Sequence, residues 1–532
     1  MTSIIRKLAG VAFVGVAFFA DAALEFNGVA PHAGTNVAPA EAILLLTPTA
    51  PLAPHINGPK VYGCRPGSPF LYRIPCTGER PMLFRADDLP AGLTLDFQSG
   101  IITGKISKPG TYRTTLFARN SHGKSTREFR IEVGNTLALT PPMGWNSWYI
   151  HYNRVTDATM RAATDQMIAS GMADFGYQYV NIDDCWIKKK NDPPWRTANG
   201  SILPNYNFPD MKSLADYIHS KGLKAGLYTS PGEWTCGGYT GAYQHEAQDA
   251  KSFADWGFDF LKYDWCYYNQ IFHTGDPRLT NSVSLREAQG LAGYKFPYEL
   301  MWRELQKQNR DIVFNLCQYG IGDVWKWGGD VGNCWRTTGD LGLASGTQLP
   351  GFYTIAFKNA EHFEYAKPGA WNDPDYILIG WVGDAHGYGE GKKTKLTPNE
   401  QYSYMSLWSL MAAPLIFSGD MARLDAFTLN VLCNAEVIEV DQDPLGKQAK
   451  TLRRTDDEFV LVKDLEDGSK AIGLFNLSTV PRKISVTWGD LGVKGKQKTR
   501  DLWRQKEIGV FNKAFEIEVP AHGVEMLRIS PR

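Results

Sequence analysis

Phe258-Asp259-Phe260-Leu261-Lys262-Tyr263-Asp264-Trp265-Cys266 reads as a buried parallel strand: it is short, rich in aromatic and branched apolar residues, and ends on an ammonium and a carboxylate. An α/β enzyme places its chemistry at the C-terminal end of such a strand. Side chains alternate faces along a strand, so Lys262 and Asp264 point the same way. A cation two residues from a carboxylate in a partly dry site keeps that carboxylate ionised, as a nucleophile must be. Taken alone, the pair also fits a strand-end salt bridge, and the surrounding pattern decides between the two.

Seven further runs of the same kind flank this stretch: Met143-Gly144-Trp145, Tyr179-Val180-Asn181-Ile182-Asp183-Asp184, Lys224-Ala225-Gly226-Leu227-Tyr228, Asp311-Ile312-Val313-Phe314-Asn315-Leu316-Cys317, Asn333-Cys334-Trp335-Arg336, Ala370-Trp371-Asn372-Asp373 and Ala413-Pro414-Leu415-Ile416-Phe417-Ser418. Amphipathic helical patterns at 211–221, 245–256 and 298–308 alternate with them. Eight strands interleaved with helices over about 300 residues predict an α/β chain with a (β/α)8 TIM barrel at 137–440. A doubly wound sheet is the runner-up, but it would want a glycine-rich phosphate turn, which is absent.

Outside the barrel the rhythm becomes period two. Residues 58–136 hold short alternating segments with a hairpin turn at Asn120-Ser121-His122-Gly123, which predicts an N-terminal β-sandwich module. Residues 441–532 predict a C-terminal antiparallel β-domain through runs such as Phe459-Val460-Leu461-Val462-Lys463 and Lys470-Ala471-Ile472-Gly473-Leu474-Phe475-Asn476. Residues 23–57, rich in Ala, Pro and Gly, read as a linker. Residues 1–22 carry Arg6 and Lys7, an apolar run and Ala20-Asp21-Ala22, the three parts of a signal peptide. That run is too short to span a bilayer comfortably and no later stretch reaches about 20 apolar residues, so the chain is expected to be secreted or periplasmic, without a membrane span.

The 532 residues carry 56 Lys plus Arg against 56 Asp plus Glu, a balance that argues against nucleic acid or an anionic membrane as partner. Eight cysteines in an oxidising compartment invite pairing. Cys64 and Cys76 lie close in sequence within the sandwich, and Cys236 with Cys266 and Cys317 with Cys334 would tie neighbouring strand ends. Cys185 and Cys433 have no obvious mate. There is neither a CxxC pair nor a paired-histidine helix, so no metal is expected.

The polar residues of the barrel fall at strand ends: Asp183 and Asp184 after the second, Lys262 and Asp264 on the fourth, Arg336 and Asp340 after the sixth, Asp373 and Asp375 after the seventh. Trp145, Trp148, Tyr228, Trp265, Trp335 and Trp371 stand among them. Carboxylates that accept from hydroxyls, beside rings that cover an apolar face, suit a neutral sugar. Any one Asp fits a cap or turn; it is their recurrence at successive strand ends that points to a site.

The motifs Met143-Gly144-Trp145-Asn146-Ser147-Trp148, Ile182-Asp183-Asp184-Cys185-Trp186, Lys262-Tyr263-Asp264-Trp265-Cys266, Trp335-Arg336-Thr337-Thr338-Gly339-Asp340, Trp371-Asn372-Asp373-Pro374-Asp375 and Asp441-Gln442-Asp443-Pro444-Leu445-Gly446 resemble, in order, those of glycoside hydrolase family 27, the α-galactosidases or melibiases. The stretch from Leu89 to Gly104 resembles immunoglobulin-like modules attached to secreted bacterial enzymes. The resemblance implies a retaining hydrolase of α-galactosides, with Asp264 as nucleophile and Asp340 as acid/base, about 5 Å apart. It further implies that Lys262 beside Asp264, and a less ion-paired setting for Asp340, separate the two pKa values.

By the same resemblance Asp183, Asp184 and Lys262 hold the 3-, 4- and 6-hydroxyls, Trp148 and Tyr228 wall the pocket, Arg336 and Asp375 complete it, and Cys236–Cys266 braces its floor. A galactose-containing oligosaccharide or polysaccharide is the expected substrate, and no cofactor is needed. One departure concerns specificity. The loop after the fifth strand reads Cys317-Gln318-Tyr319-Gly320 where many members have Cys-Glu-Trp, and bulky Gln318 and Tyr319 favour a free 2-hydroxyl. The alternatives are a β-L-arabinopyranosidase or an α-N-acetylgalactosaminidase of the same family, a non-catalytic sugar-binding barrel, and a Lys262 Schiff-base aldolase. An ionised neighbour would hold the proton on Lys262 and disfavours the last.

Overall fold

The computed structural model describes residues 44–343, 348–383 and 390–532; the expected signal peptide and the first part of the expected linker lie outside them. Eight parallel strands form the centre: β1 (Met143–Asn146), β2 (Tyr179–Asn181), β3 (Lys224–Thr229), β4 (Phe260–Asp264), β5 (Val313–Cys317), β6 (Cys334–Arg336), β7 (Trp371–Asp373) and β8 (Leu415–Phe417). They pair in the order 7-6-5-4-3-2-1-8, and a parallel bridge between Ile377, just beyond β7, and Phe417 of β8 closes the ring. Closure leaves no unpaired edge. All five residues of β4 are buried, because helices cover its outer face and the other strands its inner one.

The helices follow from local signals. Met211–Ser220 starts on Asp210, whose carboxylate accepts the Ser213 amide, and buries Met211, Leu214, Ala215 and Ile218 at three- and four-residue spacing. Glu246–Trp256 stops at Gly257, which takes φ +97° and turns the chain directly into β4.

At the N-terminal end of β4 a buried ion cluster fixes the strand. The Asp259 carboxylate accepts from His219 Nε2 at 2.8 Å, from the Ala225 amide at 3.0 Å and from Arg310 at 2.9 Å. Burial opposes its charge, yet Arg310 and His219 hold its carboxyl well below the usual range. A depressed pKa contributes stability above the unfolded value, lost as pH falls through the folded one. Asp259→Asn is therefore expected to destabilise the fold by about 2–4 kcal/mol at neutral pH, because it strands a largely buried guanidinium. Thermal unfolding should show that deficit shrinking as the medium is acidified below the ordinary carboxylate range.

The N-terminal module pairs a four-stranded sheet (Val61–Cys64, Gly123–Val133, Gly110–Asn120, Leu83–Asp87 in spatial order) with a three-stranded one (Phe70–Arg73, Ile101–Gly104, Leu93–Leu95). Its hairpin turns at Ser121-His122, where Asn120 Oδ1 accepts the His122 and Gly123 amides. The module docks on the N-terminal end of the barrel: Arg65 pairs with Asp311 at 2.9 Å and Arg73 bonds the Lys221 carbonyl. It therefore lies on the face opposite the strand ends that carry Asp264. The C-terminal domain has a six-stranded antiparallel sheet and a two-stranded one. It sits on the helix Pro398–Leu410, where Trp503 Nε1 donates to Ser406 Oγ at 2.8 Å. Among the described residues no helix is long and apolar enough to cross a membrane.

Three expectations are corrected here. From residue 46 onward the expected linker is docked: the Leu46 amide bonds the Tyr402 hydroxyl, Thr47 bonds Asn430 and Asn434, and His55–Ile56 pairs with Cys76–Thr77. Alanine- and proline-rich composition does not exclude side-chain anchors at Thr47 and His55. Cys64 and Cys76 are free thiols. Cys64 is level with Val133 of its neighbour strand, while Cys76 is level with Ile56, whose amide bonds Ser125 Oγ. Ser125 and Val133 are eight residues apart along one strand, roughly 26 Å, so closeness in sequence misleads. Cys317 and Cys334 are free as well. Cys334 is level with Asn315, two residues below Cys317, which sets the Cα atoms roughly 8 Å apart, beyond disulfide reach.

Candidate active site

Asp264, the last residue of β4, points into the barrel mouth and is buried. Its Oδ1 accepts the Trp265 amide at 2.7 Å and the Tyr319 hydroxyl; its Oδ2 accepts the Tyr228 hydroxyl at 2.8 Å. Burial pushes the carboxyl above its ordinary value, against the pull of Lys262, the Tyr319 hydroxyl and the Trp265 amide; the charge of Asp340 adds to the rise.

Lys262 shares the inward face of β4 with Asp264, but its direct partner is Asp183. Lys262 Nζ meets Asp183 Oδ2 at 3.0 Å, and Asn146 Nδ2 and the Tyr376 hydroxyl converge on the same oxygen at 2.9 and 3.0 Å. Burial opposes the ammonium, yet Asp183, Tyr376 and others hold its pKa well above the ordinary lysine value. Lys262 thus pulls on Asp264 through space, as expected from its place two residues away, while its direct bond goes to Asp183. A protonated lysine held this firmly is no Schiff-base nucleophile.

Asp184 fastens a loop to the mouth. Its oxygens accept the Thr235 hydroxyl, the Gly237 amide and the Cys185 amide, each at 2.7 Å. Burial lifts its carboxyl to about 7 despite these donors. The same loop is tied to β4 by the Cys236–Cys266 disulfide, with Cα atoms 5.1 Å apart, and Cys236 Sγ lies 3.8 Å from Asp264 Oδ2. Among the described residues the one three-ligand cluster, Cys236, Asp264 and Cys266, has both sulfurs committed to that disulfide, a donor set that does not suit a metal.

Opposite, Arg336 ends β6 and is fully buried. Its guanidinium meets Asp340 Oδ1 at 3.2 Å, Asp375 Oδ2 at 3.2 Å and the Gly339 carbonyl at 2.8 Å. Burial alone would lower its pKa, but Asp375 and Asp340 hold it charged. Asp340 is about one-third exposed, so it borders both the site and solvent. Its ion pair with Arg336 corrects the expectation of a less ion-paired setting; among the described residues it is Asp264 that has no direct cation and is bonded by hydroxyls instead. Asp375, expected to meet substrate, is saturated by the protein. It accepts the Tyr149 hydroxyl at 2.9 Å and the Leu341 amide at 2.8 Å on Oδ2 and the Tyr376 amide on Oδ1. It thereby holds the loop that carries Asp340.

The rings divide as their strand faces dictate. Tyr228 bonds Asp264 and Trp148 is half-buried at the mouth. Trp145, Trp265, Trp335 and Trp371 are core residues: Trp335 packs outward on Gly328, Trp371 bonds the Ala138 carbonyl at the barrel base, and Trp265 packs on Tyr268 and Tyr298. Gln318 is buried with neither end of its amide hydrogen-bonded. The hydroxyls of Tyr319, Tyr376 and Tyr149 and the amide of Asn146 are site components that the sequence reading did not assign to these carboxylates. Asn146 and Tyr376 each lie within or next to a quoted motif; nothing local signals where a tyrosine hydroxyl reaches.

A closed parallel barrel whose mouth presents carboxylates, an ammonium and tyrosine hydroxyls defines the glycoside hydrolase class. Residues 140–443 match the alpha galactosidase A family, 455–529 the alpha galactosidase C-terminal beta sandwich domain, and 53–134 an Ig domain family. The chain is 35% identical over 407 residues to a probable alpha-galactosidase of Dictyostelium discoideum (75% of this chain, 94% of that one). It is 34% identical over 415 residues to alpha-galactosidase A of Cellvibrio japonicus (74% and 93%). A crystal structure of a candidate alpha-galactosidase/melibiase from Bacteroides fragilis superposes with a TM-score of 0.80 at 37% identity, covering 90% of this chain and 98% of that one. Alpha-galactosidase I of Mortierella vinacea gives 0.65 at 30% identity, covering 75% and 98%. This chain belongs to the α-galactosidase (melibiase) family, glycoside hydrolase family 27.

Proposed function

We propose that the protein removes terminal α-linked galactose from oligo- or polysaccharides with retention of configuration. The observation that carries this reading is Asp264: a buried carboxylate at a barrel strand end, aligned by three donors, with a second, partly exposed carboxylate, Asp340, on the loop after β6 at the same end of the barrel. Asp264 attacks the anomeric carbon while Asp340 protonates the leaving oxygen. Asp340 then takes a proton from water, which displaces Asp264 and releases α-galactose. Asp183, Asp184 and Lys262 accept and donate to the sugar hydroxyls, and Trp148 and Tyr228 wall the pocket. Arg336 places Asp340, and Asp375 places Arg336. The bulk of Gln318 and Tyr319 on the loop after β5 suits a free 2-hydroxyl better than a larger acetamido group. The Cys236–Cys266 disulfide and the signal-like N-terminus together support an exported enzyme.

The test is a panel of nitrophenyl α-galactoside, α-N-acetylgalactosaminide and β-L-arabinopyranoside, with the first-formed anomer followed by NMR. The α-galactoside should lead on kcat/KM by about 10-fold or more, the scale of losing the hydroxymethyl contacts or crowding the 2-position, and α-galactose should appear before mutarotation. Preference for either other sugar, or β-galactose first, would overturn it.

A further inference from the structure

Three aromatic side chains outside the catalytic machinery stand on the loops beside the site. Trp234 is half-buried on the loop that Asp184 and the disulfide pin at the mouth. Thr235 Oγ1 and the Gly237 amide bond Asp184, and Cys236 lies against Asp264. Trp195, from the long loop after β2, meets Trp234 edge-on with ring centroids 5.1 Å apart and is 38% exposed; its Nε1 is anchored on the Lys189 carbonyl at 3.1 Å. Lys190 Nζ lies 5.3 Å from the Trp234 ring centroid.

Across the disulfide, Tyr267 follows Cys266, is 55% exposed and adopts φ +57°. A large non-glycine side chain in the left-handed region is an unfavourable backbone state, and such states gather where function selects them. The neighbouring chain makes room for it: a Cβ on Gly232 would fall 2.4 Å from the Cys266 carbonyl and 2.7 Å from Tyr267 Cβ. Gly232, the disulfide and the Lys189 carbonyl thus help to position Tyr267, Trp234 and Trp195, whose rings stay partly exposed.

We propose that these three residues form a stacking strip for the sugar units on the leaving-group side, so that the substrate is a galactosyl unit borne on a carbohydrate chain rather than on a small aglycone. The inference rests on the reading of Asp264 and Asp340 as the catalytic pair, since that reading makes the mouth the exit of the leaving group. Pyranose rings present apolar C–H faces that stack on indole and phenol, while Lys190 and exposed Glu233 supply polar partners at the edges. Continuity with the pocket argues for sugar rather than protein: Trp234 is two residues from a sulfur that touches Asp264.

The experiment compares wild type with Trp195→Ala, Trp234→Ala, Tyr267→Ala and the triple variant on nitrophenyl α-galactoside and on a β-linked polysaccharide carrying single α-galactosyl branches. Each single change should lower kcat/KM on the polymer by up to about 10-fold, mostly through KM, and the triple change by more, with the nitrophenyl substrate within twofold of wild type. Equal loss on both substrates, or on neither, would overturn the strip. Retention of the undigested polymer by Asp264→Asn protein in affinity gels, with and without the three alanines, tests the strip independently of turnover. Weakened retention supports it and unchanged retention refutes it. A wild type inactive on the nitrophenyl galactoside would count against the catalytic reading alone.

Discussion

Asp264→Asn is expected to lower kcat on nitrophenyl α-galactoside by roughly 10⁴-fold or more while the protein still binds galactose, the scale seen when a covalent nucleophile is removed. The amide is isosteric with the carboxylate but carries no charge and has no oxygen able to form the glycosyl ester. The two tyrosine hydroxyls that now donate to Asp264 can rotate to meet an amide, so the fold should survive, and circular dichroism with thermal unfolding would check that. Calorimetric titration with galactose separates binding from chemistry, because Asp183, Asp184 and Lys262 are untouched. Shortening the residue further, in Asp264→Gly, opens space beside the anomeric carbon. Added azide should then restore turnover and yield the β-galactosyl azide, one inversion in place of two. Near-normal rates in Asp264→Asn would defeat the assignment outright.

The barrel was legible because β-runs buried on both faces are hard to mistake when they recur between helical patterns, and all eight strand candidates overlap an observed strand. The carboxylates were legible for a related reason. An ionisable residue at the end of an apolar strand has few structural excuses, and Asp183, Asp264 and Arg336 all occupy such ends. What stayed hidden was anything set by distance across the barrel. Lys262 sits two residues from Asp264, so sequence pairs those two; in space its Nζ bonds Asp183, just beyond β2. The tyrosine hydroxyls on Asp264 come from β3 and from the loop after β5, with Tyr319 at φ +62°, and no periodicity announces a side chain aimed by a left-handed turn. Tryptophans failed in the opposite sense: a ring next to a site motif is as well explained by the helix layer, where Trp335 and Trp265 lie. Cysteine spacing misled for want of register, since a two-residue offset between β5 and β6 is enough to forbid a bond.

The second large effect falls on Asp340, and its signature differs from that of Asp264. Removing an acid/base costs about 10²–10⁴-fold, depending on how much help the leaving group needs. A nitrophenolate leaves without protonation, so Asp340→Ala should form the glycosyl-enzyme readily and then stall, because no base activates water. Both kcat and KM should fall together, with a burst of nitrophenol and a covalent adduct visible by mass spectrometry on Asp264. An oligosaccharide, whose alkoxide must be protonated to depart, should lose turnover in the first step, without burst or adduct. Azide should rescue the nitrophenyl reaction and give the α-galactosyl azide, opposite in anomer to the product expected from Asp264→Gly. The structure adds a constraint, because Arg336 already bonds Asp340 Oδ1. Oδ2 is the oxygen left to serve the leaving group. Asp375→Asn, which loosens Arg336 without touching the sugar, should then lower kcat on the oligosaccharide more than it moves KM, with the nitrophenyl substrate less affected in its first step. Identical losses on activated and unactivated substrates in Asp340→Ala, with no adduct and no rescue, would show that the proton comes from elsewhere.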